Sequence, residues 1–208
     1  RTAPMPLTLR HSPTSPYVRK VVVAAAERGL AERLQFQATN PWDPADDLPG
    51  DNPLGKVPAL KLDDGTVLFD SPVIVRYLDT LHDRAPLFPQ DAGRRWWVER
   101  THALADGILD AAVTRLIENV RRPSELYWAD WDARQKAKID RALDDLALDV
   151  DRLAVDPPDV AAIAAACALG YLDFRFQAED WRASRPDLAQ WYAAFADRAS
   201  MQETVPKG

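Results

Sequence analysis

One cysteine, Cys167, and three histidines, His11, His82 and His102, are all that this 208-residue chain offers of the softer metal ligands. A single thiol excludes an internal disulfide and fits a reducing compartment, so a cytoplasmic location is expected. The four side chains have no metal-ligand spacing, and no metal is expected. No apolar run approaches the roughly 20 residues that cross a bilayer, and no signal-peptide pattern is expected at the start. Arg1 to Pro4 precede Met5. If Met5 is the natural start, those residues are a remnant or an upstream extension. Positive charge is also short, with 26 Lys and Arg against 32 Asp and Glu for a net charge of −6. That balance argues against nucleic acid or an anionic membrane as a partner. What is present in quantity is hydrophobic residues, at 47%, enough for a full core.

The pattern of those residues divides the chain. Leu7 to Leu9 reads as a strand. Pro16 to Arg28 reads as a helix with Val18, Val21, Val22 and Ala25 on one face, ended by Gly29. Leu34 to Ala38 is a second strand. Pro41 to Pro53 is rich in Pro, Asp and Asn and reads as loop with a short helical turn. Val57 to Leu62 and Thr66 to Phe69 are strands joined by the hairpin signal Asp63-Asp64-Gly65. Ser71 to Leu81 is a helix with Val73, Ile74, Tyr77, Leu78 and Leu81 facing inward. The order βαβ then ββα predicts a thioredoxin-like domain over residues 5–81. Residues 82–93, with Pro86 and Pro89, read as a linker. Residues 94–208 carry no strand signal and predict an all-helical domain. Within it, Asp159 caps a helix from Val160 to Tyr171 that is apolar nearly all round, as a buried central helix should be. Cys167 lies in that helix as a small core residue, and Trp96 and Trp97 are expected to pack between helices. The fold class is α/β plus all-α, a thioredoxin-like domain followed by a helical bundle.

Three short segments carry chemistry. Asn52-Pro53-Leu54-Gly55-Lys56-Val57-Pro58 is a turn that runs into a Val-Pro bond at a strand mouth. Proline cannot donate to a ladder, and an X-Pro bond goes cis at small cost. A cis bond there turns the N–H and C=O of Val57 toward an extended ligand, as an edge strand does. Asp70-Ser71-Pro72 reads as a helix start, with Ser71 as cap and Pro72 first in the helix. A helix N-terminus attracts a carboxylate, and Asp70 beside it suits an ammonium. One amino-acid head group carries both charges. The third segment is Ser12-Pro13-Thr14-Ser15-Pro16-Tyr17-Val18-Arg19-Lys20. Its hydroxyls stand at the start of the first helix, where a hydrogen bond and the helix dipole favour a bound thiolate. Each unit of thiol pKa depression takes about 1.4 kcal/mol, and one charge-assisted hydrogen bond supplies roughly 1.5–3 kcal/mol. Arg19 is expected to pair with an acidic side chain or to cover the helix surface.

These three motifs, and the order of domains around them, resemble the cytosolic glutathione transferases, and most of all bacterial members with a serine turn. The resemblance spans almost the whole chain. It implies that glutathione is a co-substrate, that its backbone meets Val57 and Pro58, and that its charged head meets Asp70 and Ser71. Lys56 can then reach the glycine carboxylate. Thiol activation falls to Ser15 by the Cys-Pro-aromatic pattern of the cysteine classes, or to Ser12 or Thr14 by the spacing of the serine classes. The resemblance also implies attack on a small electrophile, and a homodimer, for which the helical stretch from Arg94 to Arg122 has a mixed apolar and charged face. The alternatives are a glutathione-dependent disulfide or peroxide reductase, disfavoured by the missing active-site cysteine, and a non-catalytic binding protein that kept the fold.

Overall fold

The computed structural model describes residues 6–207. Met5 and Gly208, the outer ends of the two expected domains, lie outside the described residues. The chain divides into two compact units. The first runs to Phe88 and is rejoined by the chain from Ala199 onward; the second is Pro89–Arg198.

The first unit is built on four strands, β1 (Leu7–His11), β2 (Leu34–Ala38), β3 (Ala59–Lys61) and β4 (Val67–Leu68), in the order β2-β1-β3-β4. β1 and β2 are parallel, and β3 runs antiparallel to both β1 and β4. Helix α1 (Pro16–Glu27) connects the parallel pair, and Gly29, at φ 71°, turns the chain out of it. Such a φ favours glycine because no Cβ is in the way. Helix α3 (Ser71–Asp79) follows β4 and packs on α1. The core between them is Leu7, Leu9 and Leu60 from the sheet, Val18 and Val21 from α1, and Ile74, Val75 and Leu78 from α3, all at most 1% exposed. Each such side chain gains roughly 1.5–3 kcal/mol by leaving water. Val73, expected to face inward, is 43% exposed. Its place is taken by Val75: the buried face is Ser71, Ile74, Val75 and Leu78, at the spacing of one helical stripe.

Arg10 is a charged side chain in this core, as are Lys20 and Arg28. It sits in central strand β1 and is 2% exposed. Its guanidinium donates to Asp46 and Asp47 at 2.6 Å each and to Asp51 at 3.3 Å. Asp46 also accepts the backbone N–H groups of Asn40 and Leu48, at 3.0 and 2.8 Å. Those bonds, the Asn40 N–H first and the Arg10 charge after, hold its carboxyl below the usual range. Asp51 is shared with Lys61 of β3 at 2.8 Å. The Pro- and Asp-rich segment is therefore folded onto the sheet, and its helical turn is α2 (Leu48–Asp51).

The second unit contains α4 (Ala92–Leu116), which ends in a π-helical turn over Ile117–Arg121, then α5 (Ala129–Leu148), α6 (Val150–Leu153), α7 (Val160–Arg175) and α8 (Pro186–Ala196). Helix α7 is buried from Val160 through Leu172, Cys167 included. Asp159 caps it by accepting the Ala162 N–H at 3.1 Å, and its other oxygen takes Arg94 at 2.5 Å. Trp97 packs inside and donates to Asp149 at 2.7 Å. Trp96 does not pack between helices: it is 69% exposed, with Arg95 over its ring. The two tryptophans are adjacent on a helix, so they cannot share one face. Among the described residues, no helix is long and apolar enough to cross a membrane.

The last helical turn, α9 (Ala199–Gln202), packs on α1, although the sequence pattern places it with the helical domain. Arg19 of α1 donates to the Met201 carbonyl at 3.0 Å and to Thr204 Oγ1 at 3.3 Å. It thus has a carbonyl and a hydroxyl where an acidic partner was expected. The acidic side chain of this contact belongs to α1 instead, since Ser200 donates to Glu27 at 2.5 Å.

Arg10→Met is expected to lower the unfolding free energy by about 3–5 kcal/mol, as losing one partner of a buried ion pair does. Asp47→Asn removes a carboxylate whose side chain is 82% exposed and is expected to cost less than about 1 kcal/mol. Urea titrations followed by circular dichroism measure both, and equal losses would contradict this ranking.

Candidate functional site

Three separate segments of the first unit arrive at one end of its sheet. β1 leads through His11 into the serine turn. β3 is antiparallel to β1 with Ala59 opposite Arg10, so Val57 and Pro58, just ahead of β3, come to the same end. β4 is antiparallel to β3 with Leu68 opposite Leu60, so Asp70 and Ser71, just after β4, arrive there too.

The turn before β3 is held from within by Asn52, a buried side chain at 2% exposure. Its Nδ2 donates to the Lys56 carbonyl at 2.8 Å, its Oδ1 accepts the Leu54 N–H at 3.0 Å, and its own carbonyl accepts the Gly55 N–H at 2.8 Å. Gly55 sits at φ 60°. Asn52 was legible only as part of a turn; an Asn two residues before the N–H it accepts is the signature of an Asx-turn. The Val57-Pro58 bond is cis, as expected. Pro58 is buried and Val57 half-buried. Among the described residues, neither the N–H nor the C=O of Val57 bonds to another backbone group. Lys56 is exposed.

At the start of α3 the cap is Asp70 and not Ser71. The first bond of the helix runs from Ile74 N–H to the Asp70 carbonyl at 3.0 Å, which makes Ser71 the first helical residue. Proline is tolerated one place further in because its missing N–H belongs to the first turn, whose donors have no partner inside the helix. The Asp70 carboxylate makes no capping bond and is exposed. Ser71 is buried, at 1%. An exposed anion therefore stands beside unused helix N–H groups and a hydroxyl, the arrangement that a zwitterionic head group complements.

Ser15 caps α1. Its Oγ accepts the Val18 N–H at 3.3 Å, and its own N–H bonds the Ser12 carbonyl at 3.1 Å. The cap uses an oxygen lone pair and leaves the hydroxyl proton to be donated. Ser12 and Thr14 are half-buried in the same turn. His11, next to it, lies against Phe36 with ring centroids 4.9 Å apart. Burial lowers its pKa from the ordinary value, which keeps the imidazole uncharged at neutral pH.

The second unit has a concavity of its own, about 430 Å³, between α5, the end of α7 and the segment up to Arg185. Ile139, Leu143, Leu172 and Phe176 line it. Most of its charged rim is already paired: Lys136 with Asp140 at 2.8 Å, Arg185 with Asp144 at 2.6 Å, and Glu179 with Arg115 at 2.7 Å, while Asp180 accepts the Arg182 N–H at 3.0 Å. Among the described residues no group of His, Cys, Asp and Glu could hold a metal ion.

Comparison with known proteins follows both units. The glutathione S-transferase N-terminal domain matches residues 14–81, and the C-terminal domain matches residues 97–194. The "Uncharacterized GST-like protein YibF" of Escherichia coli (strain K12) is 36% identical over 195 residues, 93% of this chain and 95% of that protein. A glutathione transferase family member from Pseudomonas fluorescens Pf-5, solved with bound glutathione, is 47% identical with a TM-score of 0.93, over 97% of this chain and all (100%) of that one. A glutathione S-transferase from Methylobacillus flagellatus KT, solved with glutathione bound, is 41% identical with a TM-score of 0.90, over 97% and 100% of the two chains. Both domains are matched in order and a relative aligns along nearly the full length, so the chain belongs to the glutathione S-transferase family.

Proposed function

We propose that this protein binds glutathione at the sheet end of its first unit and holds the thiol as a thiolate for attack on a small electrophile. The observation that carries the reading is the meeting of the unpaired Val57 backbone, the uncapped Asp70 carboxylate and the Ser15 hydroxyl at one end of one sheet. Relatives solved with glutathione bound support it.

In this reading the cysteinyl backbone of glutathione pairs with Val57 beside Pro58. The γ-glutamyl ammonium faces Asp70, and its carboxylate takes the Ser71 hydroxyl and the free N–H groups of α3. Lys56 serves the glycine carboxylate. Ser15 donates its proton to the sulfur in a hydrogen bond, with Ser12 and Thr14 as the neighbouring hydroxyls able to take that role. The thiolate then forms a carbon–sulfur bond with the electrophile, whose leaving group departs with the bonding pair. Without a cysteine in the turn, a mixed disulfide with the protein cannot form there, which favours conjugation over thiol transfer. The active form is a homodimer in a reducing cytoplasm.

Asp70→Ala and Ser71→Ala are each expected to weaken glutathione binding about ten- to a hundredfold, since a hydrogen bond to a charged group contributes roughly 1.5–3 kcal/mol. Calorimetry measures the loss, with circular dichroism showing the fold intact. Unchanged affinity in both variants would remove the head-group assignment.

Ser15→Ala is expected to reduce turnover at pH 7 with an aryl halide and to move the acid limb of the pH–rate profile upward, with affinity changing less. If Ser12→Ala or Thr14→Ala produces that shift instead, the donor is a neighbour in the turn. If none of the three does, backbone N–H groups stabilise the sulfur.

Light scattering at micromolar concentration is expected to return twice the chain mass of 23.3 kDa. A single-chain mass would exclude the dimer.

A further inference from the structure

We propose that Arg19 supplies the standing positive charge that the thiolate bound at the start of α1 meets, in addition to holding the C-terminal segment. This rests on the reading that a thiol binds at the serine turn. Arg19 is 8% exposed. Its bonds go to the Met201 carbonyl and the Thr204 hydroxyl, both uncharged. Three other buried guanidiniums are neutralised where they stand: Arg10 by Asp46, Arg115 by Asp132, and Arg185 by Asp144. Among the described residues no carboxylate lies within ion-pair distance of Arg19. Glu27 on its own helix is bonded to Ser200, Asp79 of α3 is bonded to the Leu87 and Phe88 N–H groups, and Glu203 beyond α9 is exposed. The remaining charges on α1 and α3 near it, Lys20, Arg28 and Arg76, are positive.

A buried charge without a counter-ion is costly, and arginine cannot shed its proton. An anion arriving nearby relieves that cost and is stabilised in return. The geometry directs the effect to the serine turn. Arg19 is four residues after Ser15, so the two share a face of α1 about one turn apart. Helical side chains lean in general toward the N-terminus, the end at which Ser15 stands. At a separation of about 8 Å and an effective dielectric constant of about 20, one unit charge shifts a neighbouring thiol by about 1.5 pKa units. That adds to what the Ser15 hydroxyl supplies. Arg19 touches neither sulfur nor electrophile in this account; it is an electrostatic positioning residue.

The experiment is the pKa of the bound glutathione thiol, read from thiolate absorbance and from the pH–rate profile. Arg19→Gln, which keeps a donor for Met201 without the charge, and Arg19→Met are expected to raise that pKa by about 1.5 units, with glutathione affinity at low pH changed less than about threefold. Arg19→Lys is expected to keep most of the depression. Thr204→Val loosens the C-terminal contact and leaves the charge, and it is expected to leave the thiol pKa where it was. The proposal is overturned if Arg19→Gln binds glutathione with an unshifted thiol, or if Thr204→Val shifts it as far as Arg19→Gln does. Should the unmodified protein bind no glutathione in the calorimeter, the binding reading falls and this inference with it; binding with an unshifted Arg19→Gln thiol removes the inference alone.

Discussion

A guanidinium buried in the central strand sets the conditions for the site. Arg10 replaces what would be one more apolar side chain of β1, and three aspartates from one segment converge on it. An unpaired charge at that depth is costly, and folding the segment over the sheet removes the cost. α2 ends at Asp51, one of the three, and the next residue is Asn52. Asn52 then ties the turn that presents Val57. The chain of dependence runs from a charge in the core, through a loop with little apolar content, to the backbone of Val57, which bonds no other backbone group among the described residues. The loop has one fully buried apolar anchor, Leu48, and electrostatics does the rest.

Much of this unit was legible because its signals are local. β2 coincides with the expected strand from Leu34 to Ala38, and Asp63-Asp64-Gly65 makes the hairpin through the Gly65 N–H and the Asp64 side chain. The serine turn, the Val-Pro step and the Asp-Ser helix start are short motifs whose chemistry depends on neighbours in sequence. What stayed hidden depends on partners far along the chain. The acceptors of Arg19 lie more than 180 residues away, and nothing in α1 announces a carbonyl there. Arg10 reads as a polar residue at a strand end until the aspartates are seen to surround it. The cap of α3 went to Asp70 and not Ser71 because two capping residues stand side by side ahead of a proline, and only the packing of the helix on the sheet chooses between them. Val73 and Val75 were exchanged for the same reason. The helical unit was legible in its central helix, whose apolar run admits one interpretation, and less so at Trp96, where an aromatic residue stays at the surface.

The charges of the first unit fall into two kinds with different consequences. Arg10 and its aspartates are mutually satisfied, and they define shape. Among the described residues Asp70 and Arg19 are not satisfied by opposite charge; one is exposed at a helix start, the other is buried a turn behind another helix start. A site assembled from such groups is prepared before a ligand arrives, so binding spends little on rearrangement. The half-buried His11 stays neutral and does not blur the pattern.

The return of the chain to its first unit after Arg198 gives the molecule the topology of an insertion. The helical unit leaves at Pro89 and hands the chain back at Ala199, so it is tethered at both ends to one body. In polymer terms it is a long loop whose closure entropy rises only with the logarithm of its length, so changes of length among its helices cost little in loop closure. The segment that closes the loop is short and ends on α1, the helix that begins at the serine turn. A nick or truncation near the C-terminus would open that loop and uncover the same helix at once. Chain connectivity and the shape of the end that carries the serine turn are thereby joined at a single point, far in sequence from the motifs of the candidate site.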